Sequence, residues 1–167
     1  DFGMLEERSF VHLREPSSRA GEPEYEISHS LTREVAYASI PKARRARLHL
    51  AFAEWLERLA EGRDDNAAVL AHHYAEAVRE DYARLAWPDY GATVAGIEGK
   101  AVLWLRRASQ LAIGRYEVDE GIGLLERALS MARNDVVSGE LWRDIGRAHA
   151  LKSTVLAQYH HGLVTRL

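Results

Sequence analysis

A mainly α-helical array with a short β-hairpin at its amino end is the architecture this sequence predicts. The hydrophobic period is about two up to Ile27 and about 3.6 from Ser30 onward, the change that separates strands from amphipathic helices. The four prolines and Gly62 fall at the joints between periodic segments. Hydrophobic residues make up 47% of the chain and charged residues 28%, enough apolar surface for a packed core and too much for a disordered chain.

Met4 to Glu7 are the tail of a helix or a loop. Ser9 to Leu13 alternates and is predicted to be a strand, Glu15 to Pro23 is a breaker-rich loop, and Tyr25-Glu26-Ile27 is the return strand. From Ser30 a helix places Leu31, Val35 and Ala38 on one face, with Ser28 or Ser30 as its cap. Two strands, a polar loop and a following helix make the wing of a winged-helix domain, whose remaining helices would lie upstream of Asp1. The next helix runs from Ser39 to Gly62. Pro41 suits its first position, and Leu48, Phe52, Trp55, Leu56 and Leu59 form its apolar stripe. Asp64 and Asp65 cap a helix whose inner residues are Leu70, Tyr74 and Ala77 or Val78. Pro88 breaks the pattern at Trp87.

A long helix from about Ala92 to Gly114 follows, with Leu105, Ala108, Leu111 and Ala112 inward. Asp119 caps a helix with Ile122, Leu125, Leu129 and Ala132 inward, and Asn134 to Ser138 is a turn. Leu141, Trp142, Ile145 and His149 mark another helix, and Val155, Leu156, Tyr159 and Leu163 mark the last. Leu105, Ala108, Ser109 and Ala112, then Gly121, Leu125 and Ala128, have the small-and-large spacing of a tetratricopeptide repeat, whose period is about 34 residues. Small residues let two helices approach, and large ones fill the groove between them. Trp142, Ile145, Gly146 and His149 begin a second such signature, but Gln158, Gly162 and Thr165 fall where alanine, an aromatic and alanine are expected. The predicted fold class is therefore a tetratricopeptide-like antiparallel array; an ordinary helical bundle is the alternative.

The balance of 22 basic and 25 acidic residues, a net charge of −3, gives no global attraction to nucleic acid or anionic membrane. There is no cysteine, hence no disulfide, thiolate zinc site or cysteine nucleophile, in keeping with a cytoplasmic location. No run approaches the roughly 18 apolar residues of a membrane helix. Lys42, Arg44, Arg45 and Arg47 put four cations at a helix start, where each exposed group costs roughly 0.3–1 kcal/mol. Glu34, Glu54, an upstream acidic surface or a nucleotide would offset them; a solvated or internally paired face, an inter-domain contact and a nucleic-acid patch are the competing assignments, in that order. His72-His73 and His160-His161 are adjacent pairs, so one ring of each faces inward. Metal sites on a helix want i, i+4 spacing and a further ligand, and only Glu76, four after His72, offers it; these pairs are assigned to packing and surface. Trp55, Trp104 and Trp142 fall on helical stripes and are assigned to the core. Asp1-Phe2-Gly3 and Gly121-x-Gly123 lack the companions a kinase or dinucleotide motif needs.

The runs Ile27-Ser28-His29-Ser30-Leu31-Thr32-Arg33-Glu34-Val35-Ala36-Tyr37-Ala38-Ser39-Ile40-Pro41, Arg44-Arg45-Ala46-Arg47-Leu48-His49, Leu70-Ala71-His72-His73-Tyr74 and Trp104-Leu105-Arg106-Arg107-Ala108 resemble the region after the ATPase core of bacterial STAND-type signalling ATPases. That group includes MalT-like and LuxR-type transcription regulators and proteins with an adenylate or guanylate cyclase domain. The stretches 85–99 and 112–120 look closest to the cyclase-linked actinobacterial branch. The resemblance implies the order ATPase core, winged helix, tetratricopeptide-like arm. Residues 1–40 would be the end of the winged helix and 41–167 the arm, in a segment of a longer protein. No Gly-x-x-x-x-Gly-Lys-Ser/Thr occurs, so ATP or ADP would bind the parent's upstream ATPase domain and the segment itself would hold no cofactor and catalyse nothing. A protein or small-molecule inducer would bind the array, with no membrane partner and nucleic acid the least favoured one. His29 is similar to the histidine of the methionine-histidine-aspartate motif of related animal and plant ATPases, which contacts the β-phosphate of ADP; Ser28 and Ser30 stand where methionine and aspartate are usual. The other assignment for His29 is a hydrogen-bonded residue at a strand–helix junction, and the other for the whole chain is a free-standing protein-binding adaptor.

Overall fold

In the computed structural model the chain is mainly helical, with one two-stranded antiparallel sheet near its amino end. The structure describes residues 2–17, 21, 23–60, 62–88 and 90–164, with side chains to residue 155 apart from that of residue 90. Backbone contacts divide it into two units, Asp1–Pro41 and Lys42–Leu167. Among the described residues, no helix is long and apolar enough to cross a membrane.

In the first unit, α1 (Phe2–Glu7) leads into β1 (Val11–Arg14), which pairs antiparallel with β2 (Glu24–Ile27) in the register Val11 opposite Ile27 and Arg14 opposite Glu24. Phe2 stacks on Tyr25 at 4.8 Å, fastening α1 to β2. The helix α2 spans Ser30–Ser39, and its N-cap is His29 in extended conformation rather than Ser28 or Ser30. Its apolar face carries Leu31 and Val35, but they are 68% and 61% exposed, so the shared face is not a buried one. Val11 alone is buried among the described residues of this unit.

The second unit begins with α3 (Lys42–Ala60), Pro41 standing just before its first turn. Gly62 ends it at a φ of +81°, the left-handed conformation that glycine adopts without a Cβ penalty. A single 3₁₀ turn, Asp64–Asn66, precedes α4 (Ala67–Ala77); Asn66, not Asp64 or Asp65, is the N-cap. A short α5 (Glu80–Ala86), not foreseen in the sequence, fills the interval before Pro88. Then come α6 (Tyr90–Gly114), α7 (Val118–Met131) and α8 (Asp135–Val164). The two predicted carboxy-terminal helices are one: residues 150–154 contain neither glycine nor proline, so nothing interrupts the backbone ladder. Asn134 caps it, its Oδ1 accepting the Val137 N–H at 2.8 Å.

Packing proceeds mainly between neighbours: α3 on α4 and α5, α4 on α6, α6 on α7, and α7 on α8. The main core joins Leu70, Tyr74, Val94, Trp104, Leu105, Leu125 and Leu141. The stripe predicted for α3 faces mostly outward, although its Leu56 packs against the main core. Ala46, His49, Ala53 and Ala60 are buried, whereas Leu48, Phe52, Trp55 and Leu59 are partly exposed. Alanines seven apart let α4 and α5 come close, and a larger side chain there would overpack the seam. Trp142 is 61% exposed and Leu111 and His149 also face outward, so of Trp55, Trp104 and Trp142, the three assigned to the core, only Trp104 is buried in it. Leu105, Ala108, Ser109, Ala112, Gly121, Leu125 and Ala128 are all buried. Gly121 sits where α6 and α7 nearly touch, and the fully buried Ser109 hydroxyl donates to the Gly121 carbonyl at 2.8 Å.

Candidate functional site

His29 lies at the junction of β2 and α2, exposed, with its carbonyl accepting the Arg33 N–H at 3.1 Å. Its side chain makes no capping bond, so the imidazole stands beside first-turn N–H groups that α2 itself does not use. Next to it an open apolar groove of about 510 Å³ runs between α1, the hairpin and α2, lined by Leu5, Phe10, Val11, Ile27, Leu31 and Val35. A hairpin of two short strands is marginal on its own, and this one gains little from burial within its unit.

Of the four cations at the start of α3, three have partners within the second unit, as the internally paired assignment requires. Lys42 faces Asp81 at 3.7 Å, Arg45 donates to the Tyr82 hydroxyl at 3.1 Å, and Arg47 donates to the Ala86 carbonyl at 3.3 Å and 3.1 Å; Arg44 is exposed. Ala86 is the last residue of α5, so Arg47 satisfies a carbonyl that the helix leaves open at its negative end. These partners all belong to α5.

Two polar seams cross the array. Glu57 of α3 accepts from the Tyr74 hydroxyl of α4 at 2.5 Å, and from Lys100 Nζ at 2.7 Å and the Trp104 indole at 3.2 Å, both of α6. Burial alone would raise the Glu57 carboxyl; the bonds from Lys100 and Tyr74 outweigh it and hold it below its usual value. Burial and the same carboxylate push the Tyr74 hydroxyl up. The second seam pairs His49 of α3 with His73 of α4, their Nδ1 atoms 2.8 Å apart. His73 is lowered to about 4, first by burial and then by the neighbouring His49 and His72; His49 is lowered chiefly by burial, against Glu76. His72 is exposed and His73 half-buried, so that pair divides inward and outward as predicted. The pair His160-His161 lies outside the residues whose side chains are described. Among the described residues, no group of three or more histidine or acidic side chains is placed to hold a metal ion. Farther along, Arg106 of α6 bridges Glu140 at 2.6 Å and Asp144 at 2.7 Å on α8.

No protein-family model, curated protein or solved structure matches this chain. The sequence reading missed His49 and Glu57. A signal existed for His49, which shares the helical face of Ala46 and Ala53, four residues before the second. None existed for Glu57, one of many helical carboxylates, because its three donors lie between 17 and 47 residues away.

Proposed function

We propose that this chain is a non-catalytic regulatory segment of a multi-domain cytoplasmic signalling ATPase. In this reading Asp1–Pro41 is the end of a winged-helix domain, and its open apolar groove takes the upstream helices that complete that domain. The groove is the observation that carries the proposal: Leu5, Phe10, Ile27, Leu31 and Val35 form one concave apolar face with a single buried residue behind it. Such a face needs a partner to bring its fold to ordinary stability. The resemblance of the run 27–41 to STAND-type ATPases names the partner, and His29 is exposed at the adjoining helix start, a setting suited to a phosphate. The buried small residues between α6 and α7 support a tetratricopeptide-like arm, which would bind a protein or small-molecule inducer and bias the upstream nucleotide state.

The test uses the parent protein with its nucleotide-binding core. Leu31→Asp should loosen the groove and speed ADP release at least roughly tenfold, about 1.4 kcal/mol. His29→Ala should do so while leaving the melting temperature of the parent unchanged. ADP retention and activation untouched by both substitutions would refute the coupling role. A parent reading frame with no P-loop upstream would leave the free-standing adaptor instead.

A further inference from the structure

His49 and His73 meet across the α3–α4 seam with their Nδ1 atoms 2.8 Å apart. At that distance one hydrogen fits between the nitrogens and a second does not. One ring donates its Nδ1–H; the other accepts through a lone pair and keeps its hydrogen on Nε2. The neutral pair therefore holds two ring hydrogens and the singly charged pair three. A fourth would set N–H against N–H. The rings are also packed: Phe52 lies 4.4 Å from His73 between centroids, and the His72 ring is 5.1 Å from His73 and 5.9 Å from His49.

The charges around the pair are mixed. Arg45 lies one turn before His49 on α3. Glu76 of α4 favours protonation of both rings, but its carboxylate is shared with Arg79 at 3.5 Å and with Arg127 of α7 at 3.4 Å. His72, on the same helix, disfavours it.

We infer that the His49–His73 pair is an acid-released latch: the rings bind α3 to α4 while one hydrogen lies between them, and protonation of both parts them. The inference concerns the helical array alone and does not depend on the coupling role proposed above. Both rings are lowered in the folded chain, so their contribution is fully present above the unfolded value of 6.5 and is lost as pH falls toward the value of about 4 for His73. Glu57 is lowered from 4.5 and loses its contribution only below that, so the interval from pH 6.5 to 4.5 isolates the histidines.

The test is a pH titration of the whole chain by NMR, following the histidine ring protons, with amide hydrogen exchange of α3 and α4 at pH 7 and pH 4.5. His73 should titrate at a proton concentration more than tenfold above that of an ordinary imidazole, whose value is 6.5. Protection of α3 and α4 amides, corrected for intrinsic rates, should fall at least tenfold in acid while that of α7 holds. His73→Phe, which keeps a ring against Phe52, should abolish that fall; His49→Gln should do the same if the phenylalanine variant does not fold. Titration of both rings at the ordinary imidazole value of 6.5, or an acid loss of protection that survives either variant, would overturn the latch.

Discussion

Gly121→Ala tests how closely α6 and α7 are held. A Cβ built at Gly121 would lie 2.5 Å from Cγ1 of Ile113, 3.1 Å from its Cδ1 and 3.2 Å from the Ser109 carbonyl oxygen. Ile113 has one rotatable bond near the clash and packs beside Val118 and Ile122, while the Ser109 carbonyl is backbone and cannot turn away. Overpacking of this kind costs about 1–3 kcal/mol. Against it stands the helical gain of alanine over glycine, about 0.5–1 kcal/mol. The net expectation is a loss of about 1–2 kcal/mol, on the order of 4–8 °C in melting temperature for an array this size. Gly123, two residues on in the same helix, has nothing within 4 Å of its Cβ position, so Gly123→Ala should show the helical gain alone and raise the midpoint. Thermal melts by circular dichroism compare the two. Combining Ile113→Ala with Gly121→Ala should cost less than the sum of the two single losses, the non-additivity a double-mutant cycle reads. If Gly121→Ala stabilised as much as Gly123→Ala, the close approach of α6 and α7 would be wrong.

Two further substitutions read other parts of the array. Glu57→Ala leaves the buried Tyr74 hydroxyl and Trp104 indole without their acceptor and should cost about 3 kcal/mol in urea unfolding, against about 1 kcal/mol for Tyr74→Phe; a smaller loss for the glutamate variant would refute its role as the joint of three helices. Tyr116 holds a φ of +66° in the turn after α6 and its side chain is 77% exposed, so Tyr116→Gly should relieve the left-handed strain at no packing cost and raise stability by about 0.5–1 kcal/mol; a lower melting temperature would show that the ring carries contacts of its own.

Much of the architecture is legible because its causes are local. Pro41, Gly62 and Pro88 interrupt the helical ladder or favour turn conformations wherever they occur, so the joints between helices were readable. The buried set Leu105, Ala108, Ser109, Ala112, Gly121, Leu125 and Ala128 was also readable, because side chains along one helical face keep a fixed spacing. The inner face of α3 was not. That helix has apolar residues around most of its circumference, and size misled: Leu48, Phe52, Trp55 and Leu59 each carry more apolar surface than Ala46 or Ala53. Which face turns inward depends on how near α4 and α5 come, and alanines permit the closer approach.

The candidate sites divide the same way. His29 could be placed at a strand–helix junction from the change of period alone, and the structure puts it in the N-cap position. The contact of His49 with His73 spans 24 residues, and Arg47 reaches Ala86 across 39. The amino-acid sequence by itself determined the helices, the hairpin and the small residues on which α6 and α7 meet, since propensity, period and breakers act over a turn or two of chain. Tertiary structure alone decided which face of α3 is buried, which cations are paired and which two histidines share a hydrogen, because those depend on distances between helices far apart in the chain.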